Sequence, residues 1–340
     1  MLVSTMVRTA CAALMTAFGV STASAQPAAD YAGKQITIVI GYGVGGTYYQ
    51  FAQLFARHLG RFLPGRPGVI VQSMPGAGGV RMLNEAAVRM RADGTMVFVP
   101  PDTMVTTQLL ETSGISYDAR KFHAIGTADQ QNTFWVIRRP AGTSIADMKA
   151  REIFMGHSGK GSTGHTIPAI AKPLLGLKVK LIGGYDGSRD TILAMEKGEI
   201  DGTVQAWQSW MQARPTWFDG AAGYGVPLLQ VGVTPDPEAP PVPLLGDLVA
   251  PADRSIVGLF DTIAVIGRGL AAPPGTPPEY VEALRKAFDS MMADGEYRAE
   301  ARKVQLRVLP KSGRELQKAV GEAVSNADAT MIARARAFIE

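Results

Sequence analysis

Short apolar runs and amphipathic segments alternate along most of the chain, joined by glycine-rich turns. Gln35–Ile40 is rich in β-branched residues, which favours a strand. Apolar residues at helical spacing follow from Phe51 to Phe62, which predicts an amphipathic helix. The order of strand, glycine-rich turn and helix recurs in both halves of the chain and is typical of a mostly parallel sheet covered by helices. The predicted strands are residues 35–40, 69–71, 96–99, 134–137, 153–155, 178–182, 200–206, 228–233 and 263–266.

Several predicted helices begin at a serine or threonine whose hydroxyl can accept from free backbone N–H groups. Thr47, Thr276 and Ser312 are each followed three residues later by Glu or Gln, which is the spacing of a capping box. Ser144 opens another short helix, and the last helix is predicted to run from Ser312 to the C terminus. Further helices are predicted over residues 80–91 and 188–197 and after residue 165.

The two halves of the chain have similar patterns, and the last two helices have little strand of their own to pack against. The simplest path therefore takes the chain from a first domain to a second and back. We predict an α/β protein of two domains, each with a mostly parallel sheet flanked by helices. The first domain comprises residues 26–128 and 235–340, and the second comprises residues 129–234. A two-strand hinge is predicted near Ala128 and Thr234.

Composition narrows the class of protein only slightly. The 340 residues are 46% hydrophobic and 19% charged, which is enough apolar material for two large cores. The net charge of +4 is mild, and Lys and Arg are scattered along the chain. This distribution predicts an ordinary protein surface rather than one that binds nucleic acid.

The first 25 residues have the features of a secretory signal peptide. Arg8 precedes an apolar run over 10–20, and Ala23-Ser24-Ala25 forms a small-residue cleavage site. The run is too short to span a bilayer. The only cysteine, Cys11, lies within it, so cleavage would leave a chain without cysteine that suits an oxidising compartment. We therefore expect an exported, soluble protein of the periplasm.

The stretch Gly41–Gly46 fits the G-x-G-x-x-G fingerprint of dinucleotide-binding proteins. Such a site also needs an acidic residue at the end of the second strand, and residues 71–74 read Val-Gln-Ser-Met. We therefore expect no nucleotide cofactor. A glycine-rich turn before a helix also presents free backbone N–H groups at the positive end of the helix dipole. Three such turns are predicted to meet as anion cradles. They are residues 44–47, 75–79 and 159–164.

The ligand expected at these cradles is a carboxylate rather than a phosphate, because the first two turns hold no Lys or Arg. An enzyme site is weakly indicated. Residues 156–160 resemble a nucleophile elbow, but Lys160 replaces its last glycine. His157 and His165 are spaced unlike zinc ligands, so no metal is predicted. Asp186 and Asp190 flank a helix start, where acidic residues stabilise the helix dipole, and we interpret them in that way.

Residues 43–47, 75–79 and 158–165 resemble, in order and spacing, the loops of the Bug/TctC family of solute receptors for tripartite tricarboxylate transporters. The resemblance covers nearly the whole chain after the signal peptide. It implies a periplasmic clamp of the venus-flytrap type, without enzyme activity, which closes on a carboxylate held by loops of both domains. Its partners would be the membrane subunits of a transporter. The alternatives are an orphan receptor that signals to a membrane sensor and, further removed, a secreted Ser-His hydrolase. We expect a monomer.

The chain also departs from that family. Tyr48 and Gln205 stand where the family commonly has Asp, and Ser73-Met74 replaces Asn-Arg. The loss of two carboxylates argues against a ligand with an ammonium group. Trp207 and Trp210 would either line the crevice, which suggests an aromatic carboxylate, or belong to the core; the sequence does not decide. The predicted ligand-binding residues are Tyr42, Val44, Gly45, Gly46, Thr47, Tyr48, Ala77, Gly78, Gly79, Ser158, Thr163, His165, Tyr185, Gln205 and Trp207.

Overall fold

Two separate β-sheets organise the chain in the computed structural model, which describes residues 29–339. The predicted signal peptide and Cys11 lie outside the described residues. The strands are β1 (Gln35–Ile40), β2 (Gly68–Ser73), β3 (Met96–Val99), β4 (His123–Asp129), β5 (Thr133–Arg138), β6 (Ile153–Gly156), β7 (Val179–Ile182), β8 (Gly202–Ala206), β9 (Gly225–Val231), β10 (Arg268–Ala272) and β11 (Lys311–Ser312).

Helices cover both sheets. Among residues 29–339, no helix is both long and apolar enough to cross a membrane. The α-helices are α1 (Thr47–His58), α2 (Val80–Val88), α3 (Met104–Leu110), α4 (Ile145–Ala150), α5 (Thr163–Leu175), α6 (Ser188–Lys197), α7 (Trp207–Ala213), α8 (Leu245–Leu248), α9 (Arg254–Gly258), α10 (Asp261–Ile266), α11 (Pro278–Ala293), α12 (Gly295–Lys303), α13 (Gly313–Ser325) and α14 (Ala329–Arg336).

Both sheets are parallel over three strands and antiparallel beyond them. The first has the order β11-β4-β10-β3-β1-β2, in which β1 is parallel to β2 and β3 while β10 is antiparallel to β3 and β4. The second has the order β7-β6-β8-β5-β9, in which β6 is parallel to β7 and β8 while β5 is antiparallel to β8 and β9. The prediction of a two-domain α/β fold is confirmed, with sheets that are mixed.

The apolar run of β1 is explained by its position inside the first sheet. Ile36 and Ile38 pack into one core with α1 and α11, and Val39 packs into another core on the opposite face with α2 and α13. A strand buried on both faces has no solvent side, so it reads as a continuous hydrophobic segment rather than an alternating one.

The chain passes between the sheets twice. It leaves the first sheet at the end of β4 and enters the second at β5, with three residues between the two strands. It returns from β9 to β10 through residues 232–267, whose helices α8 and α9 pack into the core of the second sheet. Helix α10 spans both regions, since Ile263 packs in that core and Ile266 in a core of the first sheet. The exact domain boundaries stay a prediction.

Three local predictions are wrong. Residues 263–266 belong to α10, and the strand follows as β10, where the small residues allow close pairing with β4. Thr47 is the first residue of α1 rather than its cap, because its hydroxyl bonds to Ser209 instead. Thr276 bonds to the carbonyl of Pro273 and does not cap α11. The capping boxes at Ser144 and Ser312 are confirmed, although two helices rather than one follow Ser312.

A buried ion-pair network holds the two crossing segments together. The Arg307 guanidinium contacts Asp129 at the end of β4, at 3.3 Å, and Asp236 on the return path, at 3.1 Å. It also donates to the carbonyl oxygen of Gln130 at 2.7 Å. Asp129 is fully buried and accepts a further hydrogen bond from Gln131. Burial raises the pKa of the Asp129 carboxyl to about 6, against the opposing effect of Arg307.

The raised pKa of Asp129 predicts a pH-dependent stability. Its contribution to the free energy of unfolding is fully present below about pH 4 and is lost as the pH rises through about 6. The variant Asp129→Asn mimics the protonated form and removes this dependence. The free energy of unfolding of Asp129→Asn minus that of the wild type should therefore increase by about 2 kcal/mol from about pH 4 to pH 7.5.

Thermal or urea unfolding of both proteins across this range measures the difference. Glu322→Gln, which changes an exposed carboxylate on α13, gives the baseline. A constant difference between Asp129→Asn and the wild type at all pH values would show that Asp129 does not titrate in this range.

Candidate functional site

A cleft separates the two sheets at the ends of their strands and encloses about 560 Å³ of empty space, part of it open to solvent. The first sheet contributes residues that follow β1 and β3 and the first residue of β10. The second contributes residues that follow β6 and β7 and residues within and after β8. The lining residues are Tyr42, Gly43, Val44, Gly46, Thr47, Tyr48, Asp102, His157, Ser158, Ser162, Thr163, Gly164, Gly187, Ser188, Arg189, Asp190, Gln205, Ser209 and Arg268.

Three helices begin at this cleft without a side-chain cap. They are α1 from the first domain and α5 and α6 from the second, preceded by Gly46, Ser162 and Gly187. The first N–H groups of a helix have no partner within the helix. A Ser or Asp side chain caps α4, α12, α13 and α14, which do not border the cleft, whereas α2, α3 and α7 to α11 also begin without a side-chain cap. What distinguishes α1, α5 and α6 is that their starts meet at one cleft. The chain thus leaves polar N–H groups and three positive dipole ends at the cleft.

The predicted cradle at 75–79 is not part of this lining. The N–H of Gly78 donates to the carbonyl oxygen of Ser158 at 2.9 Å, so this turn packs against the turn of the other domain. A Cβ atom on Gly78 would lie 2.4 Å from the backbone nitrogen of Ser162. Ala77, Gly78 and Gly79 therefore join the domains beside the cleft. The third helix start at the cleft is that of α6 instead.

Glycines of the stretch Gly41–Gly46 have a similar role. The N–H of Gly43 donates to the carbonyl oxygen of Asp186 at 2.9 Å, across the cleft. A Cβ on Gly41 would approach the Cα of Gly79 to 2.8 Å. Gly45 lies under the side chain of Arg189, whose Nη1 would be 2.8 Å from an added Cβ. These glycines permit close contacts within the protein, and Gly45 itself is not among the lining residues.

Hydroxyl and amide groups line the side of the cleft that faces the second sheet. The Thr47 and Ser209 hydroxyls are 2.7 Å apart and bridge the two domains. The Thr163 hydroxyl donates to the carbonyl oxygen of Val204 at 3.3 Å, and the Gln205 amide donates to Thr191 at 2.9 Å. Together with Ser158, these groups form a neutral, polar wall.

The opposite side holds a cation that the sequence reasoning missed. Arg268 is 3% exposed, and its Nη1 lies 2.9 Å from Asp102 Oδ2. The guanidinium carbon is 4.1 Å from the centre of the Tyr48 ring, which is a cation–π distance. The Tyr48 hydroxyl accepts the backbone N–H of Asp102 at 2.9 Å. Tyr42 packs beside Tyr48, with ring centres 4.4 Å apart.

The two histidines form a neutral pair behind the turn at 158–162. Their rings are 4.8 Å apart, and His157 lines the cleft while His165 does not. Burial lowers the pKa of both, that of His165 to about 4. His157 Nδ1 accepts the N–H of Gly159 at 3.1 Å, so this nitrogen is occupied by its own turn rather than by Ser158. Within residues 29–339 no group of three His, Cys, Asp or Glu side chains is placed to hold a metal ion.

The tryptophans belong to the core. Trp207 is buried between Phe134 and Phe218, with ring centres 4.8 Å from each, and Trp210 is fully buried in the same cluster. Tyr185 packs against this cluster and does not line the cleft. Of the two positions that the sequence left open for Trp207 and Trp210, the structure shows the core. Tyr42 and Tyr48 are the aromatic side chains that line the cleft.

The predicted site residues thus fall into two groups. The structure brings Tyr42, Val44, Gly46, Thr47, Tyr48, Ser158, Thr163 and Gln205 together around the cleft. It places Gly45, Ala77, Gly78, Gly79, His165, Tyr185 and Trp207 outside that lining. Contact with a ligand stays a prediction for all of them.

Comparison with solved structures identifies the fold. The periplasmic binding protein BugD superposes with a TM-score of 0.70 at 18% sequence identity, over 89% of this chain and 97% of that one. The chain has the fold of that periplasmic binding protein. The resemblance to the Bug/TctC family is thereby confirmed at the level of the fold, and the predicted two-domain binding-protein architecture with it.

Two further similar structures hold small acids. MatC from Rhodopseudomonas palustris, with bound malate, gives a TM-score of 0.69 at 17% identity, over 90% of this chain and 99% of MatC. A protein from R. palustris with adipate gives 0.68 at 22% identity, over 89% of this chain and 97% of its own. Comparisons with protein-family models and with curated proteins gave no match.

The contact between the turns at 75–79 and 158–162 predicts the effect of a methyl group at Gly78. Gly78 has φ +68°, and a Cβ would collide with backbone of the other domain. Gly78→Ala should therefore hold the domains apart and enlarge the radius of gyration in small-angle scattering. Gly33→Ala is the control, since Gly33 has the same φ of +68° and open space around its Cβ position. Both variants carry a backbone strain of roughly 1 kcal/mol. Equal scattering from the two would contradict the prediction.

Proposed function

We propose that the chain is a periplasmic solute-binding protein that captures a small carboxylate. The observation that carries the proposal is the convergence of three uncapped helix starts, from both domains, on one polar cleft. Helix N-termini bind anions through free N–H groups and the dipole. Unpaired N–H groups in a closed site cost free energy, which a carboxylate offsets with two acceptor oxygens.

A carboxylate suits this cleft better than a phosphate does. The second domain supplies neutral hydroxyl and amide groups, and the cation Arg268 is already paired with Asp102. The other cation at the rim, Arg189, lies against Gly45 beside the acidic Asp190. The electrostatic field therefore favours a small anion without providing the cluster of free cations that phosphate sites usually have. The two similar structures with malate and adipate are consistent with this class of ligand.

Binding is proposed to close the protein around its ligand. One carboxylate that accepts N–H groups from α1 and from α5 or α6 has more contacts in the closed state than in the open state, so it shifts the equilibrium towards closure. The crossing segments held by Arg307 are the proposed hinge, and the predicted domain boundaries at 128/129 and 234/235 place the division there.

The proposed location and partners rest on the segment before residue 26 and on the fold. We infer export by the signal peptide to the periplasm, delivery of the ligand to the membrane subunits of a tripartite tricarboxylate transporter, and a monomeric receptor without enzyme activity. The similar solved structures include binding proteins, which supports that class. Signalling to a membrane sensor remains the alternative. For an aromatic ligand, support comes from Tyr42 and Tyr48 alone.

A thermal-shift screen of residues 26–340 tests the ligand class. The panel contains di- and tricarboxylates, aromatic carboxylates, amino acids, and NAD as a control. A ligand at 100 times its Kd adds about 2.7 kcal/mol to the free energy of unfolding, which is a shift of a few degrees. We expect stabilisation by carboxylates alone. Stabilisation by NAD, or by no acid in the panel, would refute the proposal.

The helix-start argument predicts opposite effects of one substitution on stability and on binding. Gly46 precedes α1 with extended backbone (φ −84°, ψ 175°), which suits a capping residue. Gly46→Asp should cap α1 with its own carboxylate, make the ligand-free protein more stable than Gly46→Ala by about 1 kcal/mol, and weaken carboxylate binding at least ~10-fold, since each 1.4 kcal/mol is tenfold.

Gly46→Ala is the matched control, because it adds the same Cβ near the Ser188 hydroxyl without a carboxylate. Calorimetric titration with the best acid from the screen compares the two variants. Equal affinity of Gly46→Asp and Gly46→Ala would show that the start of α1 does not hold the ligand.

A further inference from the structure

Helix α7 is anchored in the second domain and also contacts the first. Trp207 and Trp210 fix it in the second domain, because both are buried in the cluster that β5 and α6 contribute to. Gln208 and Gln212 lie four residues apart on the helix, which places them on one face. Neither is among the residues that line the cleft. Contacts of these two side chains with the first domain therefore lie outside the proposed ligand site.

The first domain presents the turn that ends α12, residues 304–307, which we call the α12 turn. The N–H of Leu306 donates to the carbonyl oxygen of Ala301 at 2.8 Å, and the N–H of Gln305 donates to that of Arg302 at 3.1 Å. This pair of bonds is a Schellman motif. Gln305 has φ +55°, which is unfavourable for a residue with a Cβ atom. The last carbonyl groups of a helix have no partner within it, so this turn needs donors from elsewhere.

The two glutamines of α7 supply those donors. The Gln208 amide nitrogen donates to the carbonyl oxygen of Gln305, and its amide oxygen accepts the N–H of Arg307 at 3.0 Å. The Gln212 amide donates to the carbonyl oxygen of Val304 at 3.1 Å. Gln208 is 8% exposed and uses both ends of its amide, whereas the buried oxygen of Gln212 has no partner among the described residues. Gln208 is therefore the stronger of the two contacts.

These contacts are coupled to the opening of the cleft. The Thr47 and Ser209 hydroxyls meet across the two domains at 2.7 Å, and Ser209 follows Gln208 on α7. A helix packed into the core of its domain moves with that domain as one body. A movement that separates Ser209 from Thr47 therefore also withdraws Gln208 and Gln212 from the α12 turn. The three hydrogen bonds belong to the state in which the domains touch.

We propose that Gln208, assisted by Gln212, is a latch that stabilises the closed state and sets the affinity for every ligand by the same factor without touching any of them. The inference rests on the proposed function, of which closure is a part. A bond that exists only in the closed state adds its free energy to ligand binding, because it raises the fraction of binding-competent protein. A bond present in both states adds to stability alone.

Gln208→Ala tests the latch by calorimetric titration with several acids that stabilise the wild type in the thermal-shift screen. The Kd of each acid should rise at least ~5-fold, because two hydrogen bonds of the closed state are lost. The factor should be the same for all acids, so the order of preference among them stays as in the wild type. A side chain that touched the ligand would change that order.

Gln317→Ala is the matched control. Gln317 on α13 also uses both ends of its amide on backbone groups, since it accepts the N–H of Ala124 at 2.8 Å and donates to the carbonyl oxygen of Arg120 at 3.2 Å. Both partners belong to the first domain. This variant should be less stable to urea than the wild type and bind each acid with unchanged Kd.

Unchanged Kd values for Gln208→Ala, with a loss of stability like that of Gln317→Ala, would show that the contacts persist in the open state. That result would overturn the inference and leave the proposed function intact, and so would a change in Kd that differs between acids. If Gln208→Ala does not fold, Gln208→Glu keeps the acceptor for Arg307 and loses the donor to Gln305. A uniform rise in Kd would then support the latch, and wild-type Kd values would contradict it. Failure of the wild type to bind any acid would refute the proposed function itself.

Discussion

The structure depends on one requirement of the polypeptide backbone, that the first N–H groups of a helix need acceptors from elsewhere. Helices α2, α3 and α7 to α11 begin without a side-chain cap, and four helices away from the cleft satisfy the requirement with their own Ser or Asp caps. The three helices that begin at the cleft do not, because two of them follow glycine and the Ser162 hydroxyl bonds to the carbonyl of Gly159 instead. These helix starts without side-chain caps are the basis of the proposed anion site.

Close contacts between the domains keep these helix starts near one another. Glycines at 43 and 78 allow the turns of opposite domains to meet at backbone distance, and the hydroxyls of Thr47 and Ser209 join the two domains. At the proposed hinge, charged groups around Arg307 hold the crossing segments through ion pairs and hydrogen bonds. The glycine turns at Gly43 and Gly78 thus allow a close approach of the domains beside the cleft.

Local sequence patterns predicted the features that depend on neighbouring residues alone, namely the helices and the glycine turns before them. The turns before α1 and α5 were recognisable because glycine followed by an amphipathic helix specifies both the turn and its free N–H groups. The same pattern at 75–79 did not reveal that this turn packs against the turn at 158–162, because the partner turn is distant in sequence. Arg268 and Asp102 are separated by 166 residues and meet only because β10 inserts between β3 and β4. The sequence feature that could have identified Arg268 is its position as the only charged residue in an apolar segment.

The most direct test of ligand-bridged closure is the distance between the domains with and without a bound acid. The chain from residue 26 has no cysteine, so spin labels at Val88→Cys on α2 and Lys197→Cys on α6 report one distance between exposed positions. Pulsed electron spin resonance should show two populations that shift towards a single one as a stabilising carboxylate is added, with the midpoint at its Kd. An unchanged distribution at saturating ligand would contradict the account, because the acid would then bind without joining the two domains.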